Sequence, residues 1–132
     1  MRVFLDANIL FSASQDHSRM KALIDVLSAR AVFLTNEYAA EEARRNLAAK
    51  FPDGVKTLER LLKNCEIILQ LATDVEAGLP LKDVPILGGA IAGHATYLLT
   101  GDERDFGKLW GTTIQGVKVV SPRMLVEELN LR

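Results

Sequence analysis

Short apolar runs recur along this 132-residue chain: RVFL at its start, AVFLT at 31–35, CEIILQL at 65–71, YLLT at 97–100 and VKVV at 117–120. Most of the segments between them carry helical period. Strand-length runs alternating with helix-length segments call for an α/β domain with a mostly parallel sheet, since each crossover helix returns the chain to the same end of the sheet. Residues 17–30 place Met20, Leu23, Ile24 and Leu27 at helix spacing. Asn36 is a natural N-cap for a helix in which Ala40, Ala43, Leu47 and Phe51 share a face, and Pro52 ends it. A helix over 53–64 follows, with Val55, Leu58, Leu61 and Leu62 as its stripe. Residues 72–82 lack a period and read as a loop, after which DVPILGGAIAGHA reads as a helix N-capped by Asp83. Gly88, Gly89, Ala90, Ala92 and Gly93 make that helix slim enough to lie close against a sheet, although so many glycines oppose helix propensity. A short helix near 103–110 and a closing one at 122–130 complete the pattern.

The length suits one domain spanning 1–132, and a chain nearly half hydrophobic and a quarter charged is expected to fold. Sixteen Lys and Arg against 17 Asp and Glu give a net charge of -1, so no global field draws the chain to nucleic acid or anionic lipid. Contact with a polyanion requires a local patch. Cys65 is the sole cysteine and forms no internal disulfide. No apolar run approaches the ~20 residues that span a bilayer, and Asp6 arrives before a signal-peptide apolar region could develop. The expected setting is reducing and cytoplasmic, without a membrane.

In parallel α/β sheets, ligands bind beyond the carboxyl ends of the strands. Asp6 directly follows RVFL, Asp102 follows YLLTG, Asp83 starts the slim helix, and Glu41 and Glu42 lie in the helix that leaves AVFLT. Carboxylates gathered without cations repel by roughly 4 kcal/mol for a 4 Å pair at an effective dielectric of about 20. Oxygen-only ligands without a His or Cys cluster point to Mg²⁺ or Mn²⁺ and away from zinc. Such ions activate water and offset charge on a phosphate, which suggests phosphodiester hydrolysis.

DANILFSA, NEYAAEEARRNL, KDVPILGGAIAGHATYLLTGDERDFGKLWG and VKVVSPRMLVEEL, in this order and at these separations, resemble a PIN domain nearly from end to end. The resemblance implies a three-layer α/β/α fold with a central, mostly parallel sheet. It also implies a metal-dependent endoribonuclease using Mg²⁺ or Mn²⁺. Many members are toxin halves of toxin–antitoxin pairs, so the implied partners are an RNA substrate, an antitoxin protein and a second copy of the chain. For the second copy, Leu125, Val126, Leu129 and Leu131 could supply apolar surface or could simply cover the sheet. Matched residue by residue, Asp6 takes the place of the first metal-binding Asp and Asn8 that of a polar residue supporting it. Glu42 matches the helical Glu, with Glu41 as the fallback because periodicity does not choose between them. Asp83 and Asp102 match the third and fourth acids, and Asp105 an acid whose spacing varies among members. Thr100 is placed to hydrogen-bond within the site.

Arg44, Arg45 and Arg104 are candidate RNA-phosphate contacts, for which the plainer reading is a solvated helix face. Trp110 reads as packing the 103–110 segment, with base stacking as the other use of an indole there. Two rival functions share the α/β pattern. An Asp-nucleophile phosphotransferase of the haloacid-dehalogenase type would carry a second Asp where Asn8 stands. The stronger rival is a PIN-like protein-interaction module with weak or no nuclease activity, which has no evident reason to keep mutually repelling acids.

Overall fold

Strand β1 (Arg2–Leu5) runs through the middle of the sheet, and Val3, Phe4 and Leu5 are completely buried there. Burial of each such large apolar side chain contributes about 1.5–3 kcal/mol. The computed structural model describes residues 1–75 and 81–131. The other strands are β2 (Val32–Thr35), β3 (Cys65–Ile67), β4 (Tyr97–Leu99), β5 (Thr113–Ile114) and β6 (Val117–Val120). They lie in the order β3-β2-β1-β4-β6-β5, all neighbours parallel except the β5–β6 pair.

Helices α1 (Ala7–Ala13) and α2 (Arg19–Leu27) link β1 to β2, and α3 (Glu37–Lys50) and α4 (Gly54–Lys63) link β2 to β3. Helix α5 (Val84–Ala92) precedes β4, α6 (Glu103–Phe106) follows it, and α7 (Pro122–Glu128) follows β6. The architecture is the three-layer α/β/α arrangement with a mostly parallel sheet. From β1 the chain moves outward to β2, whereas from β4 it moves the other way to β6. The connections leaving adjacent β1 and β4 therefore diverge at their carboxyl ends, a topological switch point of the kind at which open α/β sheets form a binding crevice. Among the described residues no helix is long and apolar enough to cross a membrane.

The slim helix lies where its glycines allow. Helix α5 packs against both β2 and β4, and so across β1 between them. A Cβ added at Gly89 would sit 3.1 Å from the Phe4 ring and 2.5 Å from Asn36 Nδ2. Asn36 ties two helix starts together: its Oδ1 accepts from the Ala39 N–H at 3.0 Å, capping α3, while its Nδ2 donates to the Pro85 carbonyl at 3.1 Å. The first turns of α3 and α5 are thereby held side by side.

Several elements differ from the sequence expectation. Helix α1 is shorter than two full turns of apolar pattern can reveal, and it is nucleated by Asp6, whose Oδ1 accepts from the Ala7 N–H at 2.7 Å. Strand β3 stops at Ile67, before the rest of the CEIILQL run, and Leu69 and Leu71 beyond it are exposed. The two-residue strand β5 carried no readable pattern. Asp83 does not cap α5 with its side chain: a 3₁₀ turn, Leu81–Asp83, runs into the helix, so Asp83 has φ -100° and ψ -10° and not the extended backbone a capping side chain requires. Of the loop expected at 72–82, residues 76–80 lie outside the described residues. At the C-terminus Leu125 is buried and Leu129 and Leu131 pack on the core.

Candidate metal centre

Asp6 is the buried anchor of this switch point. Its backbone is extended where β1 ends, so its carboxylate turns back over the first turn of α1. Besides the bond from Ala7, its Oδ2 accepts from the Thr100 hydroxyl at 2.7 Å and the Asn8 amide at 3.1 Å. Asn8 in turn accepts from the Gly101 N–H through Oδ1 at 2.9 Å. Hydrogen bonds thus lace the end of β1 to the end of β4. Burial pushes the Asp6 carboxyl up to about 6; the bonds from Thr100 and Ala7 oppose that shift, and the charges of Glu42 and Asp102 add to it.

Asp102 sits two residues beyond Thr100. Its N–H donates to Thr100 Oγ1 at 3.1 Å, and its Oδ1 accepts from the Asp105 N–H at 3.0 Å, capping α6. Asp83, Asp102 and Asp105 each offer a carboxylate oxygen within 4.8 Å of the others. Asp83 is buried and the other two are half-buried. Asp6 stands outside this triple but shares Thr100 with Asp102. Asp102 and Asp105 have the spacing of an N-cap and the third helical residue, a position whose side chain folds back toward the cap. That spacing is legible in DERD, where the resemblance already made Asp105 a candidate ligand alongside the four other acids.

The two acids of α3 separate by direction. The charge of Glu42 reaches Asp6, whereas Glu41 pairs with Arg44 at 3.3 Å. Arg44 also meets Glu59 at 2.7 Å and Glu37 at 3.4 Å, which places its guanidinium in an ion-pair network joining α3 to α4. Glu59 is on the neighbouring helix, so spacing within α3 could not disclose this. Arg45 and Arg104 are exposed.

The donor set is entirely carboxylate. Two oxygens on opposite sides of an ion with bonds of about 2.1 Å lie about 4.2 Å apart, and the three acids offer oxygens all within 4.8 Å of one another, so the residues fit a hard dication such as Mg²⁺ or Mn²⁺. Asp6 keeps capacity as well: each carboxylate oxygen can accept two bonds, and its Oδ1 receives one.

No protein-family model and no curated protein sequence matches the chain. Among solved structures it is similar to a chain of the crystal structure of VapBC2 from Rickettsia felis bound to a DNA fragment from their promoter. The TM-score is 0.64 at 19% sequence identity, and the likeness covers 92% of this chain and 98% of that one. With its parallel sheet, its switch point between β1 and β4 and this structural neighbour, the chain has a PIN-like three-layer α/β/α fold.

Proposed function

We propose that the protein is a divalent-metal-dependent endoribonuclease that hydrolyses phosphodiester bonds in single-stranded or structured RNA, and that it is the toxin of a toxin–antitoxin pair. The observation that carries this reading is the meeting of Asp83, Asp102 and Asp105 within 4.8 Å at the switch point beyond β1 and β4, beside buried Asp6. Asp6, Glu42, Asp83, Asp102 and Asp105 would hold Mg²⁺ or Mn²⁺. When bound, the ion supplies Lewis-acid chemistry: it lowers the pKa of a water nucleophile and offsets charge developing at phosphorus.

The chain's own residues provide orientation and charge. Thr100 and Asn8 fix the Asp6 carboxylate from one side, leaving Oδ1 directed by the single bond from Ala7. The bonds from Thr100 and Ala7 favour the ionised carboxylate, the form that binds a cation, against the burial that disfavours it. Asp83 reaches the cluster because Asn36 holds the first turn of α5 against α3, the helix that carries Glu42. No side chain of the cluster is a nucleophile. Arg45 and Arg104 are the proposed phosphate contacts, giving binding that weakens with salt. Arg44 serves the α3–α4 ion pairs instead. The antitoxin partner is supported by the structural neighbour, a chain of VapBC2 bound to a DNA fragment from their promoter.

The test is cleavage of a single-stranded RNA panel with Mg²⁺, Mn²⁺ or EDTA, comparing the native chain with Asp102→Asn. Cleavage is expected with either metal, to vanish in EDTA, and to fall at least about 100-fold in the variant, beyond the 10–100-fold typical of outer-shell partners. Chelator-resistant cleavage would contradict the mechanism. An inactive protein that still captures a partner would favour the interaction-module function.

A further inference from the structure

Thr100 sits at the junction of the acidic cluster, and its side chain and its carbonyl are held by different groups. The hydroxyl serves the acids, donating to Asp6 and accepting from the Asp102 N–H. The carbonyl belongs to the sheet, where β4 and β6 pair in parallel: Lys118 N–H donates to the Thr96 carbonyl at 3.1 Å, and Thr100 N–H to the Val120 carbonyl at 3.0 Å. The ladder advances two residues at a time on each strand, so the next donor, to the Thr100 carbonyl, falls to residue 122. That residue is Pro122, which opens α7 and has no N–H. Thr100 is completely buried, away from water that could take the donor's place. The indole of Trp110 takes it instead, its Nε1–H donating to the Thr100 carbonyl at 3.2 Å.

We propose that Trp110 is a positioning residue of the acidic site, and the proposal rests on the metal-dependent reading given above. Trp110 ends the 3₁₀ turn Gly107–Leu109 that continues α6, so the segment bearing Asp102 and Asp105 is fastened at both ends to one residue, Thr100. Asp102 holds its hydroxyl and Trp110 its carbonyl, and the same hydroxyl orients Asp6. Loss of the indole N–H frees the far end of this segment and leaves a buried carbonyl without a donor. Thr100 then turns to compensate, and Asp6 loses its register against Asp102 and Asp105.

The test uses Trp110→Phe, which retains an aromatic ring beside Gly107 but not the N–H, and the double variant that adds Pro122→Ala and so returns an N–H to residue 122. Mn²⁺ affinity is measured by calorimetry for the native chain and both variants, at a temperature where circular dichroism shows all three folded, alongside kcat and KM on RNA. Trp110→Phe is expected to weaken Mn²⁺ binding about tenfold, as loss of an outer-shell partner does, and to lower kcat with KM little changed. Adding Pro122→Ala is expected to recover most of that affinity. Native-like Mn²⁺ affinity in Trp110→Phe, or a loss that Pro122→Ala does not restore, would overturn the proposal. So would a change confined to KM, which would make Trp110 a base-stacking surface. A native chain that binds no Mn²⁺ would overturn the metal reading itself, and this proposal with it.

Discussion

Replacing Asp6 by Asn is expected to stabilise the metal-free protein at pH 7.5 while lowering RNA cleavage at least about 100-fold. The two effects have one cause. The folded chain raises the Asp6 carboxyl from 3.8 to about 6, chiefly by burial. The folded state therefore holds the proton more tightly than the unfolded state between those values, and stability contributed at low pH is withdrawn as pH rises from about 4 through about 6. Above that window the shift amounts to about 3 kcal/mol of destabilisation, at 1.36 kcal/mol per unit. Asn removes the charge and can still accept from the Ala7 N–H, but its amide nitrogen stands where Oδ2 accepted from Thr100 and Asn8, and losing those two bonds costs about 1–2 kcal/mol. A net gain of about 1–2 kcal/mol, or about 3–6 °C in Tm, follows for a domain of this size. Thermal melts in EDTA at pH 7.5 and pH 4 check the sign: the gain should be present at the first and absent at the second. A lower Tm for Asp6→Asn at pH 7.5 would mean that the carboxylate is held by favourable interactions and needs no cation.

The second large effect is structural. Helix propensity alone predicts that Gly89→Ala, inside α5, stabilises by about 1 kcal/mol. The opposite is expected here, because the added Cβ would sit 2.5 Å from Asn36 Nδ2 and 3.1 Å from the completely buried Phe4 ring. Overpacking costs about 1–3 kcal/mol, and displacing Asn36 from its capping position on α3 costs about 1 more. Set against the propensity gain, a net loss of about 1–3 kcal/mol should lower Tm by about 4–10 °C. The same displacement breaks the bond to Pro85, so Asp83 should drift from Asp102 and metal affinity should fall along with Tm. A neutral or raised Tm would show that α5 can stand off the sheet and that its glycines do not set the site.

The strands and the long helices were legible in the sequence because periodicity is local: RVFL, YLLT and VKVV are buried runs bounded by polar residues, and the stripe of α3 repeats over several turns. The α/β class and the mostly parallel sheet follow from their alternation, whereas the three-layer arrangement was implied by the resemblance to a PIN domain. Asp6 and Asp102 could be placed at strand ends for the same reason. What stayed hidden depended on contacts distant in sequence or on elements too short to have a period. Helix α1 has seven residues and β5 two, below the length at which a pattern exceeds chance. The choice between Glu41 and Glu42 depends on Arg44, whose direction is set by Glu59 on another helix. Asp83 resembled an N-cap because Pro85 follows it, and only the backbone of the 3₁₀ turn shows that its carboxylate does not serve the helix. The bond from Trp110 answers a gap created by Pro122, a relation that exists only once β4 and β6 are paired.

The central claim is that these carboxylates share a dication, and the most direct measurement is a crystal structure of the protein grown with Mn²⁺, with anomalous diffraction recorded to locate the metal. The account predicts a peak bounded by Asp83, Asp102 and Asp105, with Asp6 adjoining and at least two carboxylate oxygens at about 2.1–2.2 Å, near the distances hard octahedral cations require. Well-ordered crystals with no peak among these residues, or with the metal held at another surface, would contradict it.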